Sequence, residues 1–382
     1  MTTVTTGWIP KLPSSPIGES RIIGRPGEPL SHGEPIPMNE IEILPYCDDV
    51  RTDWDDFVVM QPEGTLFHLT AWKRAIEREF GFEARYLLAQ ENGQIRGVLP
   101  LFRSSNWVQG QTLISTPFAV YGGICSSDPA AIMALRKAAC LMATDDGVNY
   151  LELREPHRVF EEGFLTKELY VTFEQALSAD AEKLIRGFPK DTRYMIRKAQ
   201  KSGLRAVTEK AQLDSFYEIY AYSVRNLGTP VFSKRFFEIL LNEFGDAAEI
   251  MVVWHQSKAV AGVLSFRFRD TILPYYGGSL PEGRQFGANN FMYWEVLRTA
   301  CERGLQKFDF GRSKLGTGAY FFKTQWNMSK RPLPYQFYMV RRKSLPNFSP
   351  INPKFKLATS VWRRIPLPLT KTLGPALVRL FP

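Results

Sequence analysis

A lysine that follows a glycine-rich turn can bind phosphate or steady the oxyanion of a reacting carbonyl, and Lys323 stands just after the loop Gly316-Thr-Gly318. On a helix start it can equally be a solvated cation. Arg312 and Ser313 come shortly before it, at the end of the expected strand Lys307–Phe310. The carboxyl edge of an α/β sheet is where such folds place ligands. A guanidinium there can grip phosphate through two N–H donors, or pair with the nearby Asp309. Tyr276 is the third candidate catalytic residue, because the glycines of Tyr276-Gly277-Gly278 allow close backbone approach. A strand end and turn explain the same triplet. No Ser-His-Asp or Cys-His constellation accompanies these residues. They suit direct attack of an amine on a thioester or ester, which needs an aligned donor and an oxyanion stabiliser but no side-chain nucleophile. The base for that amine is not assigned.

Further residues could hold substrate. Lys190–Lys201 reads as a helix with Arg193 and Arg197 one turn apart on one face, able to grip tRNA or precursor phosphates, or simply solvated. Arg225-Asn226 ends another helix before a proline-bearing loop, where it lines a pocket or caps the helix. Asn290 opens the helix Asn290–Arg303 and joins the binding set.

The elements that must position these groups follow a mixed pattern. Short β-rich runs alternate with longer amphipathic ones, which implies α/β layering. Thr70–Glu79, Asp214–Asn226 and Lys234–Phe244 carry aromatic and aliphatic residues at helical spacing. The two halves also match step by step. Arg85–Gly93 and Glu249–Ser257 read as strand and turn, followed by the strands Ile95–Phe102 and Ala259–Phe268. Each half then reaches Tyr-Gly-Gly (Tyr121 and Tyr276), a helix (Pro129–Asp145 and Asn290–Arg303), a glycine stop and another strand. A duplicated unit is the expectation. The expected organisation is a flexible leader over 1–40, rich in proline and glycine, domains over 41–172 and 173–340, and a basic apolar tail over 341–382. The second domain is expected to carry the chemistry.

The unit strand, strand, strand, helix, strand resembles the acetyltransferase (GNAT) core, in which two neighbouring strands splay apart around an acyl donor. Two such units, with Phe308-Asp-Phe-Gly-Arg-Ser313 followed by Tyr320-Phe-Phe-Lys-Thr-Gln-Trp326, resemble the FemAB family and its BioF2-like acetyltransferase relatives. The match is nearest the subgroup that accompanies exosortase and exopolysaccharide clusters. The resemblance implies two tandem GNAT-like domains. It also implies transfer of an acyl group, or an aminoacyl group from charged tRNA, to an amine on a cell-envelope precursor. It brings Trp72 and Lys73, in Phe67-His68-Leu-Thr-Ala-Trp72-Lys73, towards the acceptor and adds Trp326 to the binding set. His68 reads as a capping or packed histidine ahead of a base.

Where many relatives have glycine after the aromatic, this chain has Asn327. Enzymes using coenzyme A seat its pyrophosphate on a helix start in a Gln/Arg-x-x-Gly-x-Gly/Ala loop. Here Arg284-Gln-Phe-Gly287-Ala-Asn289 ends in asparagine, which disfavours coenzyme A. No metal and no resident cofactor is implied; the donor is aminoacyl-tRNA or acyl-CoA. The rivals are a coenzyme A-dependent N-acyltransferase on an amino sugar and a non-catalytic binding protein of a polysaccharide assembly.

Composition sets the remaining bounds. The chain has 382 residues and a net charge of +9, and from Arg341 onward it carries nine basic residues and no acidic one. Basic and acidic residues balance before that point. The tail also holds leucines, valines and Trp362, so it is read either as a peripheral anchor on an anionic leaflet or as a segment packed on the body. Four scattered cysteines indicate neither a disulfide framework nor a zinc site. With no secretory signal read at Met1–Lys11 and no run of about 20 apolar residues, the expected location is the cytoplasm.

Overall fold

Helical and strand periodicities alternate along the chain, and the computed structural model turns each into an element. It describes residues 41–156, 158–346 and 353–382, the side chains of 353–356 excepted; the expected leader lies outside them. The described residues fall in one compact unit, Glu40–Pro382. The first half contains β1 (Glu42–Pro45), α1 (Arg51–Met60), α2 (Thr70–Phe80), β2 (Glu83–Ala84), β3 (Leu87–Glu91), β4 (Gln94–Leu99), β5 (Phe102–Asn106), β6 (Gly110–Ile114), α3 (Pro129–Asp145) and β7 (Tyr150–Leu153). There follow β8 (Leu165–Ala176), α4 (Ala181–Gly187), α5 (Lys190–Lys201), β9 (Leu204–Thr208), α6 (Leu213–Leu227), α7 (Lys234–Phe244), β10 (Ala248–His255), β11 (Lys258–Phe268) and β12 (Thr271–Ser279). The chain continues through α8 (Pro281–Arg284), α9 (Ala288–Glu302), β13 (Lys307–Asp309), β14 (Ser313–Lys314), α10 (Gly318–Thr324) and β15 (Ser329–Met339) to α11 (Pro353–Trp362) and α12 (Leu367–Val378).

A small sheet has the order β1-β3-β4; a twelve-stranded sheet runs β2-β5-β6-β7-β15-β8-β13-β12-β11-β10-β9, with β14 beside β8. This is a mixed α/β architecture with two GNAT-like units, and each unit contains one parallel strand pair that separates early. β6 meets β7 only at Leu113–Leu151 and Ile114–Glu152. β12 meets β13 only at Thr271–Lys307 and Ile272–Phe308, although β12 runs on to Ser279. Phe173, near which the sequence places the domain boundary, lies within β8.

Two steps of the repeat differ from the sequence reading. The expected strand Ile95–Phe102 is divided, because Pro100 has no N–H for the ladder; β4 joins the small sheet and β5 the large one. β5 then turns through Trp107 into β6, a hairpin the sequence reading left out. Asn106 Oδ1 accepts the Val108 and Gln109 N–H groups at 3.0 and 2.9 Å and shapes that turn. Tyr276-Gly277-Gly278 lies in β12, whereas Tyr121-Gly122-Gly123 lies in an irregular segment after β6. The two triplets do not hold equivalent places.

One apolar core joins the halves. Trp72 on α2 is fully buried, its ring 6.5 Å from Phe236, 6.4 Å from Phe244 and 6.3 Å from Tyr275. Strand β15 completes the connection by pairing with β7 through Gln336–Met339 and with β8 through Ser329–Phe337.

Candidate functional site

The site grows from the end of β13. Alternation along Phe308-Asp309-Phe310 sends the two aromatics to one face of the sheet and the aspartate to the other. Asp309 is buried at 4% exposure and accepts three hydrogen bonds: Thr172 Oγ1 at 2.6 Å, the Gly311 N–H at 2.8 Å and the Tyr121 hydroxyl at 2.5 Å. Burial, then the Asp309 charge, pushes the Tyr121 phenol well up, so it remains a donor. Gly311 supplies the left-handed bend that follows, at φ +67°.

On that face the halves enclose a cleft of about 250 Å³, bounded by residues 62–67, Tyr121 and Pro156 on one side and by β11–β12 on the other. Glu174, Lys307, Asp309 and Arg331 form one charged wall, and Glu63, Arg269 and Asp270 also line the cleft. Arg331 donates to Glu174 at 2.7 Å and to Pro156 O at 2.6 Å, and Lys307 lies 3.1 Å from Glu174. Burial opposes the charge on Glu174, but Arg331 and Lys307 outweigh it and hold its carboxyl below the usual range.

The opposite side of the same turn is held by Lys323. Thr317 caps α10 by accepting the Tyr320 N–H, and one turn later Lys323 enters the interior, 9% exposed. Its Nζ donates to the carbonyls of Phe310 (2.6 Å), Gly311 (3.0 Å) and Arg312 (3.4 Å). Burial is the main cause that pushes its ammonium down to about 7; Asp309 favours the charge and Arg312 opposes it. The segment beyond the β12–β13 split is therefore gripped by a carboxylate from one face and an ammonium from the other.

The other predicted residues scatter. Arg312 shares the turn with Lys323 but does not pair with Asp309; it donates to the Tyr335 hydroxyl at 3.1 Å and lies 4.8 Å from the Tyr170 ring. Ser313 is adjacent and buried, its hydroxyl without a partner among the described residues. Tyr276 is packed among Tyr220, Phe232, Phe236 and Phe237, its buried hydroxyl without a partner among the described residues but within reach of the Arg312 charge. Trp326 is fully buried against Phe188 and Phe310 and borders a second depression of about 250 Å³ with Lys183. Trp72 belongs to the shared core and Lys73 pairs with Glu77 at 3.0 Å. Arg193 is half-buried and Arg197 exposed on α5. Arg225 bonds Asn226 and, at 3.2 Å, Ile365 O in the tail. Asn290 lies half-buried in the first turn of α9. His68 caps a turn through Thr65, and burial pushes it down to about 4.

None of the predicted residues lines the 250 Å³ cleft. Its charged wall went unread because Glu174 and Arg331 lie on β8 and β15, far apart in sequence. The alternation around Asp309 was the one available signal.

Comparison with known proteins then supplies the chemistry's type. Residues 186–324 match the acetyltransferase (GNAT) domain. The domain makes this chain an acyltransferase-type enzyme. The matched stretch contains Tyr276, Arg312 and Lys323 and stops short of β15. The fold is similar to a crystal structure of FemX, at 17% identity and a TM-score of 0.63, covering 78% of this chain and 98% of that one. It is also similar to the C-terminal domain of a putative lysylphosphatidylglycerol synthetase from Agrobacterium fabrum, at 11% identity and a TM-score of 0.53, covering 76% and 91%. A conserved protein of unknown function from Bacteroides thetaiotaomicron matches at 10% identity and a TM-score of 0.55, covering 78% and 99%. No curated protein sequence matches significantly.

Proposed function

We propose that this chain is a FemAB-like transferase that moves an activated acyl or aminoacyl group onto an amine of a cell-envelope or exopolysaccharide precursor, as in the exosortase-associated subgroup. The observation that carries the reading is Lys323: a buried ammonium, lowered to about 7, at the mouth of the split between β12 and β13. The acceptor amine attacks the donor carbonyl carbon on the Lys323 side of the β12–β13 split. The C–O or C–S bond to the leaving group breaks, and the proton lost by the amine ends on the departing oxygen or sulfur, releasing a hydroxyl or a thiol. Lys323 exchanges its longest bond, 3.4 Å to Arg312 O, for the oxyanion that develops during attack.

The start of α9 supports a donor other than coenzyme A. A Cβ placed on Gly287, where that helix begins, would lie 3.1 Å from Met195 Cε and 3.2 Å from Met195 O. Helix α5 therefore packs closely on that glycine, which supports a crowded helix start for a pyrophosphate. The exposed Arg197 and its neighbour Arg193 suit the phosphates of a charged tRNA. The acetyltransferase match favours the second reading, an N-acyltransferase using acyl-CoA on an amino sugar.

Mass spectrometry of envelope and exopolysaccharide precursors, from cells with the protein, without it, and with Lys323→Ala, tests the proposal. A mass increment present only with the unaltered protein names the transferred group. Precursors unchanged in all three strains reject transfer. Tight acyl-CoA binding in calorimetry, abolished by charge reversal at Arg284, selects the second donor.

A further inference from the structure

The C-terminal helices bury one face and leave the other outward. In α12, Thr370, Gly374 and Val378 are buried, and a Cβ on Gly374 would lie 2.5 Å from Val231 O. The opposite stripe, Leu369, Leu373 and Ala376, is exposed, the two leucines at 53% and 49%. Helix α11 repeats the arrangement: Trp362 turns inward and donates to Thr229 O at 2.9 Å, while Leu357 and Val361 are 75% and 51% exposed.

A second element joins this surface from the first half. Trp107, at the tip of the β5–β6 hairpin, is 85% exposed and borders the same groove as Ala376, Arg379 and Leu380. The Asn106 turn holds that indole out. Arg363, Arg364 and Arg379 are exposed around the apolar stripe, and no acidic residue occurs after Arg341.

We propose that α11, α12 and Trp107 form a docking surface for an anionic lipid bilayer. The chemistry favours lipid over a second copy of the chain. A two-fold contact would place this cationic face against itself. A bilayer interface instead accepts leucine side chains below the headgroups, an indole at headgroup depth and arginines beside lipid phosphates. No helix among the described residues is long and apolar enough to cross a membrane, so the contact is peripheral. No residue of this surface lines the cleft between the halves, and binding requires no step of the transfer reaction.

Co-sedimentation of the full chain with vesicles tests it. Binding is expected to vesicles of phosphatidylcholine with phosphatidylglycerol, to weaken with salt, and to be absent with phosphatidylcholine alone. Leu369→Ser with Leu373→Ser, and separately Trp107→Ser, should each weaken binding roughly tenfold or more without moving the melting temperature. Arg363→Glu with Arg364→Glu should do the same. Failure of the unaltered chain to bind, or binding undiminished by all three variants, overturns the proposal. A dimer in analytical ultracentrifugation that the leucine variant converts to monomer assigns the surface to a second copy and also overturns it.

Discussion

Lys323 sets a pH dependence whose direction is fixed by which form reacts. The ammonium is the oxyanion donor and its pKa is about 7, so the turnover limb belonging to the enzyme should fall as pH rises through 7. Lys323→Met should remove that limb and lower kcat by about 10²–10³. A kcat–pH profile unchanged by the substitution contradicts the assignment. Glu155 makes an independent statement about stability. It is fully buried, and burial pushes its carboxyl up from 4.5 to about 7, against the Ile124 N–H and Arg158. The folded state therefore keeps a proton that the unfolded chain has already released. The Glu155 contribution to stability should fall as pH rises from about 4.5 to about 7, by about 3 kcal/mol, while buried His68, pushed down to about 4, contributes in the opposite direction over much of that window. Glu155→Gln retains the oxygen that accepts the Ile124 N–H at 2.6 Å. It should remove that falling contribution, so that the urea midpoint rises with pH across that window more than it does in the unaltered chain.

Among the elements, α2 carries a residue whose role the structure reassigns. The sequence brought Trp72 towards an acceptor; in the fold its indole donates to Pro117 O at 3.3 Å and packs on Phe67, with ring centroids 4.8 Å apart. Trp72→Ala should cost about 3–5 kcal/mol of stability. Any activity that survives should keep its KM for the acceptor. A raised KM with unchanged denaturation would return Trp72 to the binding set. Helix α5 shows the other outcome. Its amphipathic pattern was legible, and its buried residues Thr192, Ile196 and Ala199 seat it against α9. What no local pattern conveyed is that Met195 then packs against Gly287, where that helix begins.

At the scale of the whole molecule, the halves share a sheet and a core rather than standing as separable domains. Strand β15 bonds to β7 and β8 at once, and Arg331 on it reaches Pro156 and Glu174. Stability divided between independent halves would appear as two transitions; this connection should give one. Differential scanning calorimetry should show a single endotherm whose calorimetric and van't Hoff enthalpies agree. Two resolved endotherms would mean that the shared sheet does not couple the halves. The tail belongs to the same body through Trp362 and Gly374. The reading of the tail as a segment packed on the body is the one these contacts support.

The sequence by itself determined the alternation of helices and strands, because amphipathic spacing is a local property. Helices α2, α3, α5, α6 and α7 were read within a residue or so of their observed limits. It also marked Lys323, Arg312 and Ser313 as neighbours of one strand end. Tertiary structure alone decided what surrounds that end. Tyr121, Thr172 and Asp309 meet across gaps of up to 188 residues, and strand pairing at such separation leaves no periodic trace in any one segment. The same cause hid the cleft: Glu174, Lys307, Asp309 and Arg331 come from β8, β13 and β15, and only the assembled sheet sets their side chains on one face.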